Sequence, residues 1–204
     1  MATRSFFTRK GSPVASLRWH RLVGTAALIA AGIVTAMAAD RELLGKAATL
    51  QLEWRSIDDV VMGGVSRSEA RLTADGVLRF SGVVSLENNG GFASIRSEPV
   101  KLDLSGAQGL RLRVKGGGKG FKLNLKTEAG FDTVQYQAPF IAPEEWGTVT
   151  LPFAAFRAVF RGRPVPNAPA LDPARIVTLG FLISERQEGP FLLEIASVTA
   201  YTGP

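Results

Sequence analysis

Cysteine is absent from the 204 residues, and the one histidine, His20, lies near the start of the chain. Without thiols there is no disulfide staple and no thiolate nucleophile, so stability has to come from burying a core. Without an imidazole beyond His20, a Ser-His triad, a histidine-ligated zinc and a histidine general base are all excluded. Acidic residues are missing from the segment before Asp40, which carries Arg4, Arg9, Lys10, Arg18 and Arg21. Removing those five from the 24 basic residues leaves 19 against 18 acidic ones, so five of the six formal positive charges belong to the leader. The remainder is close to neutral, and nucleic acid is not an expected partner.

From Leu22 to Ala39 no side chain is charged, and the run closes on Ala36-Met37-Ala38. A basic start, an apolar centre and small residues at the end describe a secretory signal cut after Ala38. The same run approaches the length that spans a bilayer core of about 30 Å, so an uncleaved anchor over residues 22–39 stays open. Both readings export the rest of the chain to a periplasmic or other extracytoplasmic side, and the membrane is met only through an uncleaved leader. A uniformly apolar run argues against a mitochondrial transit peptide, which is amphipathic. The expected organisation is a signal or anchor over 1–38, a short helical or irregular segment over 39–51, and one domain over 52–204.

Within that domain apolar and polar residues alternate. Leu78 and Phe80 interleave with Arg79 and Ser81, Leu110, Leu112 and Val114 with Arg111 and Arg113, and Phe121, Leu123 and Leu125 with Lys122 and Asn124. Period two means one buried and one wet face, the pattern of antiparallel sheet. Further β-rich runs follow at 133–136, 148–151, 176–183 and 191–201, separated by Gly, Pro and Asp. The prolines of Arg163-Pro164-Val165-Pro166-Asn167-Ala168-Pro169 mark a surface loop, since they cannot donate to a ladder. No amphipathic helical run longer than about two turns is present, so the expected class is all-β, a sandwich.

Two stretches place an acid or amide pair before a Gly pair: Asp58-Asp59-Val60-Val61-Met62-Gly63-Gly64-Val65-Ser66 and Asn88-Asn89-Gly90-Gly91-Phe92. Read as local structure, each is a turn, with the Asp side chains bonding nearby backbone and Met62 filling core. Read as a site, the acids accept hydrogen bonds or ligate a cation and the Gly backbone faces a partner. Asn88 and Asn89 suit a tight turn, and their amides also suit sugar hydroxyls. Arg96 can clamp a carboxylate, or pair with Glu87 or Glu98. Trp146 and Tyr136, with Trp54 and Phe131, are the rings available for sugar stacking, although Trp146 also suits a sandwich edge. Glu144-Glu145 and Asp58-Asp59 are adjacent pairs whose members point to opposite faces of a strand, which is poor geometry for paired-carboxylate chemistry.

Trp54 with the Asp58–Ser66 stretch, Phe80-Ser81-Gly82, and Asn88-Asn89-Gly90-Gly91-Phe92-Ala93-Ser94-Ile95-Arg96 resemble the hallmark of the complex I intermediate-associated protein family. Gly109-Leu110-Arg111-Leu112-Arg113-Val114-Lys115-Gly116, Trp146, Leu151-Pro152-Phe153 and Leu179-Gly180-Phe181 agree, and the similarity runs from about Leu52 to Tyr201. The resemblance implies a galactose-binding-like jelly-roll β-sandwich, a fold shared with many carbohydrate-binding modules. It also implies a chaperone role in assembly of the respiratory NADH:ubiquinone oxidoreductase, as in the family's mitochondrial members.

The expectation is a binding module and not an enzyme, with no catalytic residue, no cofactor and no metal site. Its partner is expected to be a protein, a subunit of a membrane respiratory complex being the leading candidate. The expected surface runs over Asp58, Asp59, Gly63, Gly64, Ser66, Asn88, Asn89 and Arg96. The alternative is a carbohydrate-binding module of the exported compartment that stacks sugars on Trp146 and Tyr136.

Overall fold

Alternating side chains can bury one face only if two sheets close on each other, and the computed structural model, which describes residues 39–203, has that form. The leader, signal or anchor, lies outside the described residues. Among these, no helix is long and apolar enough to cross a membrane. Thirteen strands follow in chain order: β1 (Arg41–Leu44), β2 (Trp54–Ser56), β3 (Arg67–Leu72), β4 (Leu78–Val84), β5 (Ala93–Ser97), β6 (Gly109–Lys115), β7 (Gly120–Lys126), β8 (Gln135–Ile141), β9 (Gly147–Pro152), β10 (Arg157–Phe160), β11 (Arg163–Pro164), β12 (Thr178–Ile183) and β13 (Gly189–Tyr201). The helices described are single turns, including Asp59–Met62 and Glu87–Asn89.

One sheet has six strands in the order β3-β4-β13-β6-β9, with β1 joining β13. The other has seven, β11-β10-β8-β7-β12-β5-β2, and the ladders of both are antiparallel. Strand β13 carries β6 along one edge; its other edge is shared by β4, opposite Gly189–Ile195, and by β1, opposite Val198–Ala200. A register shift between Ile195 and Ser197 marks the changeover.

The inward residues of both sheets meet in one core. Phe80 and Phe191 of the first sheet sit edge to face at 4.8 Å, and Phe121 of the second reaches Phe80 at 6.5 Å. The alternations at Leu78–Ser81, Leu110–Val114 and Phe121–Leu125 all place their apolar members inside. Two expectations are corrected. The 39–51 segment is not helical or merely irregular, because Leu43 and Leu44 are buried and need a place in the first sheet. Met62 does not fill core; it is 67% exposed. The proline-rich stretch holds only the two-residue edge strand β11, with its remainder as surface loop.

Candidate functional site

The two polar-Gly turns meet at one carboxylate. Asp59 is fully buried at the start of the Asp59–Met62 turn, where its Oδ1 accepts the Ser66 N–H at 2.9 Å. Its Oδ2 accepts the Ser66 hydroxyl at 2.5 Å, the Gly91 N–H at 2.7 Å and the Phe92 N–H at 3.2 Å. Burial pushes the carboxyl pKa up, but these bonds, led by the Ser66 hydroxyl, outweigh it and hold the group below its ordinary value. Ser66 in turn accepts the Ser85 N–H at 2.9 Å. The glycines are there to let backbone approach this carboxylate. A Cβ on Gly90 would meet Asp59 Oδ2 at 2.6 Å, and one on Gly64 would collide with the same carboxyl group.

Asp58 is engaged the same way. It accepts the Ser68 N–H at 2.7 Å, the Ser68 hydroxyl at 2.6 Å and the Ser94 N–H at 3.1 Å, stitching the turn to β3 and β5. Each of the four carboxylate oxygens therefore accepts at least one bond from within the domain. With both acids turned inward, the residues between them and Gly63 are thrust outward: Val60, Val61 and Met62 are 59%, 62% and 67% exposed. Gly63 ends the turn at φ +92°, a left-handed conformation that suits glycine. The result is an apolar ridge standing on a hydrogen-bonded base. Sequence alone does not mark it, because a short apolar run such as Val60-Val61-Met62 has no periodicity to separate surface from core.

The other candidates are placed as follows. Asn88 and Asn89 are exposed with left-handed φ of 53° and 59°, one turn away from the Gly91 N–H that binds Asp59. Tyr136 is buried in the core and donates its hydroxyl to the Pro169 carbonyl, so its ring presents no open face. Trp146 is half-buried in the connection from β8 to β9. Arg96 lies on β5, two residues beyond Ser94, half-buried. Glu98 pairs with Arg55 at 3.3 Å, not with Arg96. No ion pair of Arg96 occurs among the described residues, and burial with the neighbouring Arg55 charge lowers its pKa. Lys126, on β7 and 2% exposed, donates to the carbonyls of Gly130 and Phe131. Burial first, then Arg96, lowers its pKa to about 8. Nothing in the order of residues marks this cluster, since its members come from separate strands.

A family model described as Complex I intermediate-associated protein 30 matches residues 44–195. The mitochondrial protein of that name from Drosophila melanogaster is 27% identical over 166 residues, covering 70% of this chain and 56% of its own length. The Mus musculus protein of the same name is 28% identical over 110 residues, covering 52% of this chain and 34% of its own length. The chain thus spans about half, or less, of these relatives. Among solved structures, the family 11 carbohydrate-binding module of a cellulosomal cellulase of Clostridium thermocellum superposes with a TM-score of 0.59 at 14% identity, over 80% of this chain and 96% of that one. An agarase superposes at 0.52 and 15% identity over 82% of this chain and 25% of its own. At such identities these two share the fold alone.

Proposed function

Because the chain belongs to the Complex I intermediate-associated protein 30 family, we propose that it is a non-catalytic module that binds a protein partner during assembly of a membrane respiratory complex. The observation that carries this is the ridge of Val60, Val61 and Met62, three apolar side chains held in water by a base of buried hydrogen bonds. Water-exposed apolar side chains grouped this way are costly unless something covers them. Support for a non-catalytic role comes from chemistry: the domain has neither imidazole nor thiol, and Asp58 and Asp59 are engaged with backbone and serine donors. Export of the domain is part of the proposal, supported by the five basic residues before the apolar run. Protease accessibility in intact and permeabilised cells tests that part.

The main test is in-cell cross-linking of the wild type and of a Val61→Asp/Met62→Asp variant, with mass spectrometry of the products. The expected outcome is a cross-link to a respiratory-complex subunit that the variant loses while its thermal midpoint stays within a few degrees of wild type. An unchanged set of cross-links in the folded variant would remove the ridge from the interface. The carbohydrate alternative has support from the shared fold only; the buried Tyr136 ring leaves it without a stacking platform at that residue.

A further inference from the structure

The outward face of the seven-stranded sheet carries a notch. In one register row stand Gln137 of β8, Asn124 of β7, Gly180 of β12, Arg96 of β5 and Arg55 of β2. Their chain neighbours Leu123, Leu125, Ile95 and Phe181 fill the core, so this row faces away from it. Gly180 has no side chain, so Asn124 and Arg96 flank a gap about 10 Å wide between backbones, two strand spacings. A Cβ on Gly180 would stand 3.7 Å from that of Arg96, which puts the gap and the guanidinium side on one face.

The groups around the gap lack complements. Asn124 is 6% exposed with its Oδ1 buried and without a donor, and the Gln135 Oε1 is in the same condition. Arg96 and Lys126 have no carboxylate within ion-pair distance among the described residues, and Arg55 adds like charge. Buried acceptors without donors and cations without anions are each unfavourable in a folded domain. A ligand that brings a negative charge to the half-buried Arg96 offsets the second of these.

We propose that this notch takes the carboxylate of an acidic residue in an extended peptide segment of the protein partner. The inference rests on the protein-binding reading above and names the chemistry of what is bound. Arg96 offers the carboxylate a bidentate fork. Arg55 also lines an adjoining open pocket with Ile57, Val60, Val61 and Phe131, and an apolar side chain of the same segment fits there. An anionic glycan has less to recommend it, because sugars want a flat exposed ring. Of the large rings most exposed among the described residues, Phe160 is covered by the Arg161 guanidinium at 5.3 Å, leaving Phe131.

Fluorescence anisotropy on the full chain tests this with a labelled octapeptide alternating Glu with Val and Leu, its all-Gln counterpart, and tetragalacturonate. The expected result is binding of the Glu peptide, with affinity about tenfold lower or worse for the Gln peptide and for Arg96→Gln. Arg96→Lys should recover only part of the loss, since the fork is gone. Arg96, half-buried, supplies a variant that keeps its fold. Equal binding of both peptides, no effect of Arg96→Gln in a folded protein, or binding of tetragalacturonate alone would each overturn the notch. If the notch fails but the ridge-dependent cross-link persists, the protein-binding reading stands without it. Peptide binding with no cross-link to a respiratory complex overturns the assembly reading and leaves the notch.

Discussion

Removing the Asp59 carboxylate strands three backbone donors at once, the buried Ser66 N–H and the part-buried Gly91 and Phe92 N–H groups. Each unsatisfied buried donor costs on the order of 1–3 kcal/mol, so Asp59→Ala is predicted to lose roughly 3–5 kcal/mol. Urea unfolding with an unchanged m-value reads this directly, and a loss under about 1 kcal/mol would contradict the account. The pH dependence has a definite sign. Because the folded carboxyl lies below its ordinary value of 3.8, its stabilisation is present above that pH and is lost as pH falls through the folded value. Thermal midpoints of the wild type below about pH 4 should therefore fall more steeply than those of Asp59→Asn; parallel curves would contradict the assignment. At this scale the sequence showed the parts without their connection. Acid-Gly and amide-Gly turns are legible from propensity alone, whereas the Asp59–Gly91 bond links positions far apart in the chain.

Strand β1 and the Asp59–Met62 turn show how burial, not composition, sorts short apolar segments. Leu43 and Val61 both sit in runs too brief for periodicity to decide their state, yet Leu43 is 1% exposed and Val61 62%. The longer alternations at Leu110–Val114 and Phe121–Leu125 were legible because several turns of the same pattern agree. Leu43→Ala is predicted to cost about 2–4 kcal/mol by leaving a cavity, and Met62→Ala less than about 0.5. Chemical denaturation of the two variants checks the contrast, and equal losses would show that the ridge packs against something. The loop from Thr127 to Val134 offers a second case, tied down by Lys126 on the Gly130 and Phe131 carbonyls and by the Asp132–Arg161 ion pair. Lys126→Met removes a buried cation as well as its bonds, so global stability should change by less than about 2 kcal/mol. Amide exchange at residues 128–133 should nonetheless accelerate about tenfold; unaltered protection would mean the lysine does not hold the loop.

Across the whole molecule, near-neutral totals of 19 basic and 18 acidic residues beyond the leader conceal an uneven distribution. Most ion pairs stand at the surface, as in Arg55–Glu98 and Lys115–Glu145, and such pairs contribute about 0–1 kcal/mol each. Arg96 and Lys126 differ in being withdrawn from the surface with no carboxylate of the described domain within ion-pair distance. The sandwich was readable from alternation and turn punctuation, but this imbalance was not, because residues 96, 124, 126 and 180 become neighbours only when β5, β12 and β7 pair. The two kinds of charge respond differently to salt. Screening lengths shrink from about 10 Å at 0.1 M to about 3 Å at 1 M, which matters little to weak surface pairs but directly weakens capture of an anion. Raising sodium chloride from about 0.1 M to 1 M should shift the thermal midpoint by under about 3 °C while lowering affinity for the Glu peptide several-fold or more. If affinity instead held steady as the midpoint fell, the charges of this domain would serve its fold, and the outward face of the larger sheet would have no anion to receive.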